Sequence, residues 1–292
     1  MPGVNDVSVR YRPLSPRNLN LRQRMVVVLV ALPGLAWVIA EGGWLYTLTF
    51  AIILSLAAKE FGLLLRTKGH RPAVPILIVG VLALSVGRYL WGLSGTAHLL
   101  AVLCLAGQVW HIVDYERGAT SSGTDFALTM GGLLLCGWIG PYLISLRNLP
   151  DGLWWVLIVL PCVWTADGFA YVVGHAIGKR PLCPRLSPSK TWEGYFGGVL
   201  GGALAGYLLP LLWRAGFSDT EPVTMINGLI VGIILGVLTP LGDLNISMIK
   251  REYNAKDTST IIPGHGGLLD RLDSWLWAGI LGYYIVLFLQ NS

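Results

Sequence analysis

Residues 224–273 read TMINGLIVGIILGVLTPLGDLNISMIKREYNAKDTSTIIPGHGGLLDRLD. The first half, to about residue 249, stays apolar for longer than the ~20 residues a helix needs to cross the hydrocarbon layer. The second half is dense in charge, with Lys250, Arg251, Lys256, Asp257, His265, Asp270, Arg271 and Asp273. Charged side chains at membrane depth are costly and mark function by default. Pro263, Gly264, Gly266 and Gly267 flank His265 and let the backbone come close to a ligand. Bare N–H groups in such a turn suit phosphate oxygens. Carboxylates beside phosphate-binding cations point to a divalent metal on a nucleotide.

The rest of the chain repeats the apolar pattern. Of 292 residues, 54% are hydrophobic and 13% charged, against roughly 25% charged in an average soluble domain. Mean hydropathy is +0.62. One soluble core cannot hide so much apolar surface, so the expected fold class is all-α, a polytopic integral membrane protein. Nine spans are expected, at about 25–42, 44–65, 72–93, 95–113, 126–146, 152–178, 194–214, 224–249 and 268–289. The weakest divisions are at Gly42-Gly43 and near Gly95. The expected organisation is one membrane domain: a basic cytoplasmic tail (1–24), amino-terminal transmembrane helices (25–150) and carboxy-terminal helices that carry the chemistry (151–292). The tail holds Arg10, Arg12, Arg17, Arg22 and Arg24 and has no small-residue cleavage site, so it is not expected to be a cleavable signal peptide. The four cysteines have no metal or redox spacing.

Charge orients the spans. With nine spans and a cytoplasmic amino terminus, every Lys and Arg except Arg88, Arg147 and Arg214 falls on the cytoplasmic side. That skew is the positive-inside bias. It puts the polar loops 179–193 and 250–267 on one face. The net charge of +5 then reads as this bias plus attraction for anionic lipid headgroups; no nucleic-acid partner is expected.

Further candidates lie upstream. Asp167, Tyr171, Gly174 and Gly178 repeat at helical spacing and share one face. They read either as a small-residue helix seam or as a functional intramembrane acid. In the loop 178–194, Ser187, Lys190 and Thr191 precede the next helix and suit an anion; the plain alternative is a basic loop with Thr191 as helix cap. Asp243, Ser247 and Lys250 fall at i, i+4 and i+7 on one face. Asp270 and Asp273 share the first turn of the last span, and Asp257 comes from the loop between. Asp257, Asp270, Asp273 and Asp243 are the candidate ligands for Mg²⁺, which takes a few carboxylates plus waters and phosphates. Acids that merely complement a helix dipole explain Asp270 and Asp273, but not the glycine cluster or Asp243.

These motifs resemble the phosphatidate cytidylyltransferase family, the CDP-diacylglycerol synthases. Ser247, Lys250-Arg251, Lys256-Asp257, Pro263-Gly264-His265-Gly266-Gly267 and Asp270-Arg271-Leu272-Asp273 stand at the family's spacings. Ser187-Pro188-Ser189-Lys190-Thr191-Trp192-Glu193-Gly194 and Asp167 with Ala170-Tyr171 match its upstream motifs. Gly168-Phe169 departs from the usual hydroxyl residue and glycine after that Asp. The resemblance covers about residues 160–275. It implies that CTP and phosphatidic acid give CDP-diacylglycerol and pyrophosphate with Mg²⁺; a second, monovalent cation is left open. Asp257 and Asp270 would hold the metal, with Asp273 and Asp243 nearby. Lys250, Arg251, Lys256 and Arg271 would hold phosphates. His265, Gly266 and Gly267 would cradle one phosphate, and Lys190 and Ser187 would close the site. Membrane lipids are partners; the sequence does not decide whether a homodimer forms. The expected location is the inner (plasma) membrane of a bacterium, with the site facing the cytoplasm in a polar funnel between spans six, eight and nine. Two other classes compete with this reading. A CTP-using lipid or polyprenol kinase would release CDP instead. A transporter usually shows broken, repeated spans, whereas here the charges gather at one interface.

Overall fold

Glycine and proline decide where this chain of helices bends, and the bends shape the site. The computed structural model describes residues 32–216, 223–259 and 266–291. The expected tail, the start of the first expected span and His265 lie outside the described residues. The described residues are almost wholly helical, and seven of their helices are long and apolar enough to cross a membrane. The protein is an all-α integral membrane protein.

Seven helices stand where nine spans were expected, for two reasons. Only a short helix, α1 (Leu32–Glu41), represents the first span within the described residues. The third and fourth expected spans form one element, α3 (Val74–Glu116), of 43 residues. A straight helix of that length runs about 65 Å, twice the hydrocarbon layer. It does not run straight. Gly92 has φ +65° and ψ −157°, a backbone shape open mainly to glycine. Beyond it the chain folds back: a Cβ at Gly80 or at Gly87 would meet a methyl of Leu103 or Leu99 at 3.3 Å. The two arms of α3 are therefore antiparallel.

Before α3 comes α2 (Gly43–Arg66), which packs along it. After it, α4 (Ser122–Gly132), a π-helical stretch (Leu133–Ile139) and α5 (Tyr142–Arg147) make one crossing. Then follow α6 (Gly152–Ile177), an antiparallel hairpin of β1 (Pro181–Cys183) and β2 (Ser187–Thr191), and α7 (Trp192–Gly216). The chain ends with α8 (Met225–Leu238), α9 (Pro240–Glu252) and α10 (Leu269–Gln290).

Glycines clamp α7 between α6 and α8. A Cβ at Gly206 would stand 2.0 Å from the Gly228 carbonyl, and one at Gly232 would stand 2.1 Å from that of Gly202. On the other side, a Cβ at Gly194 would stand 2.7 Å from the Ala170 carbonyl. Such close backbones maximise van der Waals packing where lipid offers no hydrophobic drive. The seam brings the α6 face that carries Asp167 close to the α8–α9 junction. There Pro240, which lacks an N–H, stands at the first position of α9.

Two apolar clusters hold the bundle. One joins Leu143, Trp155, Val159, Val231 and Val286. The other joins Leu54, Phe61, Leu77, Ile246 and Leu272. Helix α10 contributes to both and so ties the two halves together. At one end of the bundle the Arg251 Nε donates to the Leu186 carbonyl at 3.3 Å, and Lys68 Nζ donates to the Glu252 carbonyl. At the other end Arg147 Nε donates to the Ile39 carbonyl at 2.8 Å. The hairpin, the 67–73 turn and the end of α9 thus share one end.

Candidate active site

The spacing of Asp243, Ser247 and Lys250 puts them on one face of α9, and that face carries the polar centre. Ser247 Oγ donates to Asp243 Oδ1 at 3.2 Å. Each end of the row makes an ion pair with another element. Asp243 Oδ2 stands 2.5 Å from Lys190 Nζ on β2. Lys250 Nζ stands 2.6 Å from Asp270 Oδ1 on α10. Ser247 and Lys250 are buried.

Below Lys250 lies a cradle of backbone and carboxylate. Asp270 Oδ2 accepts from the Thr258 N–H (2.8 Å), the Thr258 hydroxyl (3.0 Å) and the Gly267 N–H (3.0 Å). Gly266, at φ +81°, faces two carboxylates: its Cβ would stand 3.2 Å from Asp257 Oδ1 and 3.3 Å from Asp270 Oδ2. Gly267 has no room at all, since a Cβ would stand 2.0 Å from Thr258 Oγ1. The Gly267 N–H is turned to Asp270, so its visible role is close approach to a carboxylate rather than an N–H held out to phosphate.

Beside the α9 face opens a cleft of about 500 Å³. Asp167 and Tyr171 on α6, Ser187, Lys190 and Thr191 on β2, Gly194 and Tyr195 on α7 and Asp243 on α9 line it. Asp167, Asp243 and Asp273 are close enough to feel one another's charge. Thr191 lines the cleft, and its hydroxyl caps α7 by accepting from the Gly194 N–H at 3.2 Å, which is the helix-cap alternative. Glu193 Oε2 accepts from the N–H groups of Lys179 (3.1 Å) and Arg180 (3.2 Å) and so pins the hairpin to the helix. Tyr171 is exposed and stacks on His175, with ring planes 9° apart.

The expected residues therefore fall into two joined compartments. The cleft holds Asp167, Tyr171, Ser187, Lys190, Thr191 and Asp243. The cradle holds Asp257, Asp270, Gly266, Gly267 and Lys250. The four expected metal ligands do not form one group: among the described residues no three His, Cys, Asp or Glu are arranged to hold a metal by themselves. Asp257 and Asp270 both abut Gly266, whereas Asp243 lines the cleft and Asp273, on α10, lies near it. The expected walls also change. Helix α7, not α10, completes the cleft, because its glycines admit it against α6. Arg251 gives its guanidinium to the Leu186 carbonyl and, at 3.5 Å, to the Ala255 carbonyl. Lys256 is exposed and has no partner among the described residues; Arg271 is exposed on the first turn of α10. His265 is not among the described residues.

Two residues here were not found from the sequence. Thr258 joins Asp270 to Glu60, a buried acid of α2. The one available signal for Glu60 was an acid inside an otherwise apolar span, and its neighbour Lys59 masked it as an ordinary membrane-edge pair.

The fold and the site define an all-α integral membrane protein whose acid–base pairs gather at one end of the bundle. The model of the cytidylyltransferase family matches residues 22–289. The phosphatidate cytidylyltransferase of Synechocystis sp. is 30% identical over 299 residues, covering 91% of this chain and 97% of the relative. That of Pseudomonas aeruginosa is 34% identical over 262 residues, covering 87% and 92%. That of Bacillus subtilis is 38% identical over 146 residues, covering 50% and 52%. The chain belongs to the cytidylyltransferase family and is a nucleotidyltransferase.

Proposed function

We propose that the protein is a phosphatidate cytidylyltransferase, which converts CTP and phosphatidic acid to CDP-diacylglycerol and pyrophosphate with Mg²⁺. The supporting observation is that one helix face, on α9, carries both ion pairs. Lys190–Asp243 sits at the cleft and Lys250–Asp270 at the cradle. A metal–phosphate pair suits both partners of such a pair at once, the metal the carboxylate and the phosphate the ammonium.

The cradle fits Mg²⁺. Asp257 and Asp270 both abut the bare backbone of Gly266, and Mg²⁺ takes one or two carboxylates with waters and substrate phosphates. Bound there, the ion would neutralise charge on the triphosphate and on leaving pyrophosphate. The chain's own groups do the rest. Lys250 and Lys190 bind phosphate oxygens, and Arg251, Lys256 and Arg271 draw anions toward this end of the bundle. The lipid phosphate is already an anion, so the site needs to align and neutralise more than to remove a proton. The cleft, walled by α6 and α7, takes the lipid headgroup from the side, and the cradle takes the nucleotide from water. In this reading the membrane is a bacterial inner membrane, and the lysine and arginine skew supports a site that faces its cytoplasm.

The test is purified protein incubated with CTP, phosphatidic acid and Mg²⁺. Pyrophosphate release that requires all three supports the proposal. Turnover of CTP without phosphatidic acid, or none with all three, contradicts it.

A further inference from the structure

The amino-terminal half has no part in the proposed chemistry, yet it sends one acid into the cradle. Glu60 on α2 is 1% exposed. Its Oε1 accepts from the Ser259 hydroxyl at 2.6 Å and the Leu268 N–H at 3.0 Å. Its Oε2 accepts from the Leu269 N–H at 2.9 Å and lies 3.2 Å from the Thr258 hydroxyl, whose single proton it shares with Asp270 Oδ2. All four donors belong to the stretch that carries Asp257, Gly266 and Asp270. The two N–H groups lie at the start of α10, where a helix leaves donors unpaired and favours negative charge.

We propose that Glu60 is a positioning residue for the catalytic loop: from α2 it holds Thr258, Ser259 and the first turn of α10, so that Asp257 and Asp270 face Gly266. The Thr258 hydroxyl is the link, since it contacts both Glu60 Oε2 and Asp270 Oδ2. Gly267 is the matching space, since a Cβ there would stand 2.7 Å from Glu60 Oε2. The carboxylate is specific to this job. Each of its oxygens faces one backbone N–H, so a Gln amide sets an NH₂ against a donor in either orientation. The catalytic part of this inference rests on the proposed function, whereas the hold on the loop does not.

The test compares wild type with Glu60→Gln, Glu60→Asp and Thr258→Val. Amide exchange is followed by mass spectrometry on purified protein without nucleotide or metal. Glu60→Gln should speed exchange across 256–259 and 266–270 at least tenfold and leave α6 unchanged. It should also cut kcat at least tenfold and raise the Mg²⁺ concentration for half-maximal activity several-fold. Glu60→Asp should recover part of each loss, and Thr258→Val, which keeps the volume, should show the same local loosening. Unchanged exchange in the loop overturns the proposal. Faster exchange in every helix also overturns it, because Glu60 is then a general stability residue. Local loosening with normal kcat and Mg²⁺ dependence overturns the positioning role. If wild type itself lacks CTP-dependent activity, the proposed function fails while the exchange data still decide whether Glu60 holds the loop.

Discussion

Lys190 Nζ stands 2.5 Å from Asp243 Oδ2 and closes a hairpin strand onto a membrane helix across the cleft. Asp167 lines the same cleft, so Lys190 faces two acids, Asp167 and Asp243. Lys190→Gln should cut kcat/KM at least tenfold. With Asp243→Asn it should be non-additive: residues in contact couple by about 0.5–3 kcal/mol. A double-mutant cycle on kcat/KM reads this directly, and additive losses would show that the pair does not work as a unit.

Asp257 and Asp270 should separate function from folding. The Asp257 side chain is exposed, whereas Asp270 is buried against Lys250. Asp257→Asn should nearly abolish turnover at limiting Mg²⁺ and leave the thermal midpoint in detergent unchanged. Asp270→Asn should lose both activity and stability, because removing one partner of a buried pair costs about 3–5 kcal/mol. Normal turnover of both variants at limiting Mg²⁺ would rule out their role as metal ligands.

The α7–α8 seam makes a stability prediction away from the chemistry. Gly206→Val forces a side chain onto the Gly228 carbonyl, and overpacking of this kind costs about 1–3 kcal/mol. Gly216→Ala meets nothing within 4 Å and is the silent control. Thermal unfolding of the two variants in one detergent checks the difference. Equal midpoints would mean that the helices separate without cost.

The membrane helices were legible because apolar runs near 20 residues have few other uses. The α9 face was legible because i, i+4, i+7 spacing survives into the structure. Three things were not. Nothing local marks Lys190 for Asp243, since the partners belong to different elements and meet only through the glycine seam. The hairpin 181–191 shows no alternation and carries three prolines, which argue against strands. Gly92 lay near the expected break at Gly95, but only its positive φ shows that the chain reverses within one continuous element. The seam of Gly228, Gly232 and Gly236 against Gly198, Gly202 and Gly206 belongs with the first of these, since only the contacts reveal it.

Topology can be read with cysteines. In a background lacking the native cysteines, Ser189→Cys and Lys256→Cys should react with an impermeant reagent from the cytoplasmic side. Asp151→Cys, beyond α5 at the other end of the bundle, should react only from the opposite side. Labelling of Ser189→Cys and Asp151→Cys from one side would contradict the orientation.

The most direct measurement is the fate of the nucleotide phosphates. Purified protein is given phosphatidic acid, Mg²⁺ and CTP labelled either at the α- or at the γ-phosphate. Label from the α position should appear in the lipid fraction as CDP-diacylglycerol, and label from the γ position should leave as pyrophosphate. Label from the γ position in the lipid, with CDP released, would contradict cytidylyl transfer and make the site that of a kinase.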